Sequence, residues 1–280
     1  MLDAPKDSQN KQGTRPKSYA EGKILREATD GVGVITLNNP KKHNAMSLEM
    51  WEGLGHALTD LRDDADVRVV ILVGAGDKAF VSGADISQFE QVRHNAQASE
   101  EYSRRSEAQR ALLASYPIPT IACIRGFCLG GGMLVAMLCD IRIAAENSEF
   151  GIPAAKLGIA YGHDGLKYLV SLVGPSQARL LMYTGMRIDS AEALRIGLVD
   201  RVLQKTELWK ATMEIARIIS CNAPLAIKAA KITIAQVLKD AAERDVEAIR
   251  NVGTACMESE DYREGRQAFM EKRKPQFTGR

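Results

Sequence analysis

Two short and nearly all-apolar runs, each ending in a glycine-bearing turn, constrain this chain more than any other feature. The first is Val69, Val70, Ile71, Leu72 and Val73; the second is Thr120, Ile121, Ala122, Cys123 and Ile124. Neither shows the in-out alternation of a half-exposed strand, so both suit strands covered on two faces. A long polar helical stretch, about residues 99–115, separates them, and repeated strand and helix units imply an α/β core. Upstream, Ile24 and Leu25, a Thr29-Asp30-Gly31 turn and residues 32–37 read as a hairpin. Met50, Leu54, Ala57, Leu58 and Leu61 then form a helical stripe with Ser47 as its N-cap. Beyond Asp200 strands are expected to give out. Ile227, Ala230, Ile234 and Val237 repeat at helical spacing, so the expected division is a core over 23–204 and a helical lobe over 205–280.

Composition narrows the class. A net charge of +2 over 280 residues gives no electrostatic case for a nucleic-acid partner. Cys123, Cys128 and Cys139 sit among apolar neighbours and the cysteine total is odd, which suits reduced thiols in a cytoplasmic setting. Four scattered histidines and no Cys-x-x-Cys pair predict no metal. Residues 1–22 are polar and predict a disordered arm with neither a secretory signal nor a membrane span.

Chemistry concentrates in the two turns, residues 78–86 and 125–132. Gly130, Gly131 and Gly132 precede an apolar helix, and without side chains they let a ligand approach the N–H groups of its first turn. Those groups, backed by the helix dipole, stabilise negative charge. With an N–H from the Gly83-Ala84 turn they make a two-donor oxyanion site. The alternative reading of Gly130, Gly131 and Gly132 is that they only permit close helix-strand packing.

In order along the chain, residues 39–46 (NPKKHNAM), 80–86 (FVSGADI), 126–132 (GFCLGGG), 139–141 (CDI), 150–153 (FGIP), 191–199 and 261–275 resemble the enoyl-CoA hydratase/isomerase, or crotonase, family. The resemblance implies a crotonase-type spiral of ββα units with a C-terminal helical lobe. It also implies an acyl-coenzyme A thioester as substrate, no cofactor besides that coenzyme A, and homotrimers or hexamers. It assigns the oxyanion N–H groups to Ala84 and Gly131. Substrate contacts are carried over to Lys41 and Lys42 near the coenzyme A entrance, to Ser82, Gly83, Asp85, Ile86, Gly130, Leu134 and Ala154 in the core, and to Phe269 and Lys272 on the last helix.

This sequence departs from the family's hydratases at two points. The glutamates that move protons there correspond here to Leu134 and Ala154, neither of which transfers a proton. Replacements are sought among Tyr161, His163 and Asp164. Tyr161 and the C-terminal block resemble methylmalonyl-CoA decarboxylases, which carry a histidine where this chain has Ala84. Asp164 is a candidate acid or base, or alternatively the N-cap of a helix starting near Gly165. His163 also suits a solvated loop, while Asp85 and Asp140 suit bonds to loop backbone. Several functions therefore remain open: a hydratase or isomerase with non-standard proton transfer, a decarboxylase or thioesterase of the same fold, and a non-catalytic acyl-CoA binder. A dinucleotide-binding oxidoreductase is the remaining alternative, because Gly74, Gly76 and Ala79 fit a relaxed Gly-x-Gly-x-x-Ala fingerprint. That fingerprint needs a helix opening at once, and residues 80–83 do not suit one.

Overall fold

The hairpin forms as the two runs flanking Thr29-Asp30-Gly31 predict: β2 (Ile24–Thr29) pairs antiparallel with β3 (Val32–Leu37) around the Asp30-Gly31 turn. The computed structural model describes residues 14–85 and 95–280. Within the segment expected to be an arm, β1 (Thr14–Tyr19) instead adds an edge strand to β2. Its polar composition hides it, because what holds it is tertiary: Tyr19 Oη donates to Asp60 at 2.5 Å and Lys17 Nζ donates to the same carboxylate at 2.6 Å.

Both apolar runs become central strands. β4 (Val69–Gly74) lies parallel between β3 and β6 (Thr120–Ile124), and β8 (Ile141–Ala145) follows β6. Val70 and Leu72 face a core shared with α1 (Leu48–Arg62), while Val69, Ile71 and Val73 face the opposite side, where α6 (Lys205–Cys221) supplies Leu208 and Ala216. Cover on both faces explains the unbroken apolar run. Ser47 caps α1 as expected, its side chain accepting from the Met50 N–H at 3.3 Å.

Each central strand hands over to a three-residue strand of a second sheet. β4 leads to β5 (Ala79–Val81) and then α2 (Ala96–Ala114), β6 to β7 (Phe127–Leu129) and α3 (Gly131–Leu138), and β8 to β9 (Glu149–Gly151). With β10 (Arg187–Asp189) and β11 (Arg201–Leu203) added, the orders β1-β2-β3-β4-β6-β8-β11 and β10-β9-β7-β5 record a chain spiralling through two sheets, one ββα turn at a time. Such short strands carry no periodicity of their own.

The remaining elements are α4 (His163–Thr184), broken at Gly174, then β10 (Arg187–Asp189), α5 (Ser190–Arg195) and β11 (Arg201–Leu203). Strands thus persist past Asp200, since β11 extends the larger sheet beside β8. α6 packs on that sheet, so the lobe apart from it comprises α7 (Pro224–Val237), α8 (Val246–Glu258) and α9 (Glu260–Met270). Lys231 of α7 ties back to Asp140 at 2.7 Å. No single helix among the described residues is long and apolar enough to cross a membrane.

Candidate active site

The two glycine turns meet because their strands are neighbours. β5 and β7 pair in parallel, Val81 opposite Cys128, so the residues just past them, Gly83-Ala84 and Gly130-Gly131, come side by side. Gly83 (φ +131°) and Gly130 (φ +50°) adopt backbone conformations that side chains disfavour, turning the chain at that level. A Cβ placed on Gly131 would stand 3.5 Å from the Ala84 nitrogen. Gly131 opens α3, so its N–H has no intrahelical acceptor. Among the described residues neither it nor the Ala84 N–H donates to the backbone. Gly132 serves the packing role: a Cβ there would collide with the Val81 carbonyl.

Behind Ala84 stands the loop of residues 39–46. Met46 bridges Ala84 in parallel fashion, with Met46 N–H donating to Gly83 O at 2.8 Å and Asp85 N–H donating to Met46 O at 2.9 Å. Ser82 N–H donates to His43 O at 3.1 Å, and Ser82 Oγ to Lys42 O at 3.4 Å. Asn44 is fully buried, and its side chain bonds Asn39, Ala75 and Ala79. No role was assigned to Asn44 from sequence; its only signal was membership of the 39–46 block.

The sequence candidates are placed as follows. Buried Asp85 pairs with Lys42 Nζ at 2.8 Å across 43 residues, so Lys42 engages the end of the Gly83-Ala84 turn; Lys41 is exposed. Asp140 meets its expectation, accepting from Thr120 N–H at 2.7 Å and Thr120 Oγ1 at 2.9 Å. Ile86 lies outside the described residues. Leu134, in α3, and Ala154, in a 3-10 turn over Pro153–Leu157, both pack against the main core, as does Tyr161. α4 begins at His163 with Gly162 as N-cap, two residues earlier than expected, so Asp164 lies inside the first turn and does not cap it. The side chain of Asp164 is outside the described set, and His163 is exposed.

Tyr161 is distinctive. Its Oη is buried without a hydrogen-bond partner among the described residues. Burial pushes the phenol well above the ordinary tyrosine value, an effect that Arg110 partly offsets. The phenol therefore stays protonated at physiological pH. The ring lies over Gly165, where a Cβ would collide with it.

Phe269 and Lys272, at and just past the end of α9, are both exposed. Phe269 is 85% exposed and lines an apolar groove of about 530 Å³ with Leu225, Tyr262, Met270 and Phe277. No residue of the two glycine turns lines it.

The family model for enoyl-CoA hydratase/isomerase matches residues 27–280. The chain belongs to the enoyl-CoA hydratase/isomerase family. It is an acyl-CoA enzyme of that family, similar to the short-chain-enoyl-CoA hydratase of Clostridium acetobutylicum, with 37% identity over 251 residues covering 90% of this chain and 95% of the relative. It is 36% identical over 257 residues to the crotonyl-CoA hydratase of Syntrophomonas wolfei, covering 92% and 98% of the two chains. An enoyl-CoA hydratase/carnithine racemase from Magnetospirillum magneticum superposes with a TM-score of 0.89 at 34% identity, covering 94% of this chain and 97% of that one. In this family member the Gly74–Ala79 turn leads into β5 and not into a helix, so the dinucleotide fingerprint builds no cradle.

Proposed function

We propose that this family member polarises the thioester carbonyl of an acyl-coenzyme A between the N–H groups of Ala84 and Gly131, and moves protons with Tyr161 or Asp164 in place of paired glutamates. The observation that carries the first half is the approach of two N–H groups that donate to no backbone acceptor among the described residues, with the Gly131 Cβ position 3.5 Å from the Ala84 nitrogen. Two donors fixed by paired strands stabilise an enolate oxygen without reorganising, and one such donor is worth roughly 3–4 kcal/mol in a transition state. Leu134 and Ala154 support the second half, because neither side chain carries a transferable proton.

The unpartnered Tyr161 hydroxyl suits one chemistry within this reading, in which a proton is delivered and none need be removed. In decarboxylation of a malonyl-type thioester, the bond from the α-carbon to the carboxylate breaks and carbon dioxide leaves. The electron pair passes to the thioester oxygen held by Ala84 and Gly131, and the α-carbon then takes a proton. The Tyr161 phenol carries a transferable proton at neutral pH and has no hydrogen-bond partner among the described residues, which makes it the candidate for that delivery. The same oxyanion pair serves hydration, isomerisation and thioester hydrolysis. Lys41, Lys42, Ser82, Gly83, Asp85, Ile86, Gly130, Leu134 and Ala154 complete the proposed substrate contacts. Phe269 and Lys272 reach a ligand only across an interface, in a homotrimer or hexamer, and the coenzyme A of the substrate is the only cofactor required.

The test is turnover of crotonyl-, malonyl- and methylmalonyl-CoA by the wild type, Tyr161→Phe and Asp164→Asn. The variant lacking the working proton donor loses about a hundredfold or more in kcat while acyl-CoA affinity holds. Full turnover in both variants removes both groups. Binding of all three thioesters without turnover by the wild type makes the chain a binder only.

A further inference from the structure

We propose that Asn44 is the positioning residue of the oxyanion pair, fixing the aim of the Ala84 N–H through the backbone of residues 43–46. The inference rests on the Ala84 and Gly131 reading and adds what holds it. In a parallel bridge, the residue opposite the bonded one turns its own N–H and C=O away from the partner. Met46 bonds to Gly83 O and to Asp85 N–H, so Ala84 between them directs its N–H away from Met46. The aim of that donor follows the placement of Met46.

Backbone bonds tie this loop to the Ala84 turn at both ends, Ser82 N–H donating to His43 O and Met46 bonding Gly83 O and Asp85 N–H. Between them the chain passes through two successive left-handed residues, His43 at φ +51° and Asn44 at φ +57°. Asparagine tolerates that conformation better than most side chains. Its amide adds side-chain bonds at the point where the backbone turns. Asn44 Oδ1 accepts from Asn39 N–H at 2.9 Å, and Nδ2 donates to Ala75 O at 2.9 Å and to Ala79 O at 2.8 Å. One N–H and two carbonyls as partners leave only one orientation of the amide. Ala75 follows β4 and Ala79 begins β5, the strand that runs to Ala84. A single buried side chain thus registers both partners of the Met46–Ala84 bridge to each other. In enzymes, a misplacement of about 1 Å far from the chemistry costs about a hundredfold in rate.

The probe is butyryl-CoA labelled with carbon-13 at the thioester carbonyl, bound to the full chain and read by infrared difference spectroscopy. A saturated thioester undergoes no hydration, so the carbonyl stretch reports polarisation alone. The wild type is expected to lower the stretch relative to free butyryl-CoA. Asn44→Gly, which retains the left-handed backbone and loses the amide, is expected to lose most of that lowering while Kd stays within about threefold. An unshifted carbonyl in the wild type rejects the oxyanion site itself. A shift in the wild type that Asn44→Gly retains in full overturns the role of Asn44 and leaves the site standing. If Asn44→Gly does not fold, Asn44→Ser is measured the same way; failure of both to fold overturns the proposal, because Asn44 is then a determinant of folding.

Discussion

Gly131 and Gly132 are adjacent in α3 yet differ in what a methyl group would do. At Gly132 the new Cβ meets the Val81 carbonyl, part of the β5 backbone, so something must shift. Gly132→Ala is expected to cost about 1–3 kcal/mol through overpacking, seen as a fall of several degrees in Tm. At Gly131 the Cβ lies at ordinary contact distance from Ala84, inside the proposed oxyanion site. Gly131→Ala keeps its N–H but sets a methyl group in the path of the thioester, so it should melt like the wild type while kcat/KM falls about a hundredfold through misplacement of the substrate, which steady-state kinetics and a thermal scan separate. The glycines were legible in the sequence because three in a row before an apolar helix have few uses. Lys42 was only partly so: its partner Asp85 lies 43 residues away, and no local pattern announces an ion pair closed by the fold. Tyr161 was visible as a candidate, but its lack of a partner is a property of packing.

At the level of elements, α1 shows how a local signal carries through. Ser47 accepts from Met50 N–H at the start of a helix that buries Trp51, Leu54 and Leu58. Ser47→Ala should cost about 1 kcal/mol, a few degrees in Tm, with little change in acyl-CoA binding. β1 illustrates the opposite case, since it is anchored by tertiary contacts to Asp60. The Tyr19 pKa is pushed up to about 12, first by burial and then by its bond to Asp60. Its folded value thus exceeds the unfolded value of 10.0, so its contribution is whole below that pH and is lost as pH rises toward 12. The Asp60 pKa is lowered, chiefly by Lys17, so its contribution is whole above the ordinary carboxylate range and is lost in acid. Tyr19→Phe is expected to flatten the alkaline limb of stability over that window, measured by urea unfolding across pH. Sequence patterning found β4 and β6 because burial on both faces leaves an unbroken apolar run. It missed β1 and β11, whose residues reveal strand only once a neighbour supplies the ladder.

Across the whole molecule, the helical lobe is under-covered. Ile234, Val237, Val246, Met257, Phe269 and Met270 are all exposed, the last two by 85% and 81%. Apolar surface of that kind marks an interaction face, and the proposed trimer or hexamer would cover it. Sedimentation velocity should show the wild type as an oligomer and Phe269→Glu with Met270→Glu as a smaller species that remains folded. The spiral itself has another consequence. The two donors proposed for the thioester belong to the main chain, spaced by the pairing of β5 and β7, so the N–H groups themselves do not depend on side-chain identity, proline excepted. A lineage using this frame can exchange the side chains around the reacting carbons and retain its hold on the substrate. The frame separates what is inherited from what is free to vary, so new reactions can arise on it without a new binding site.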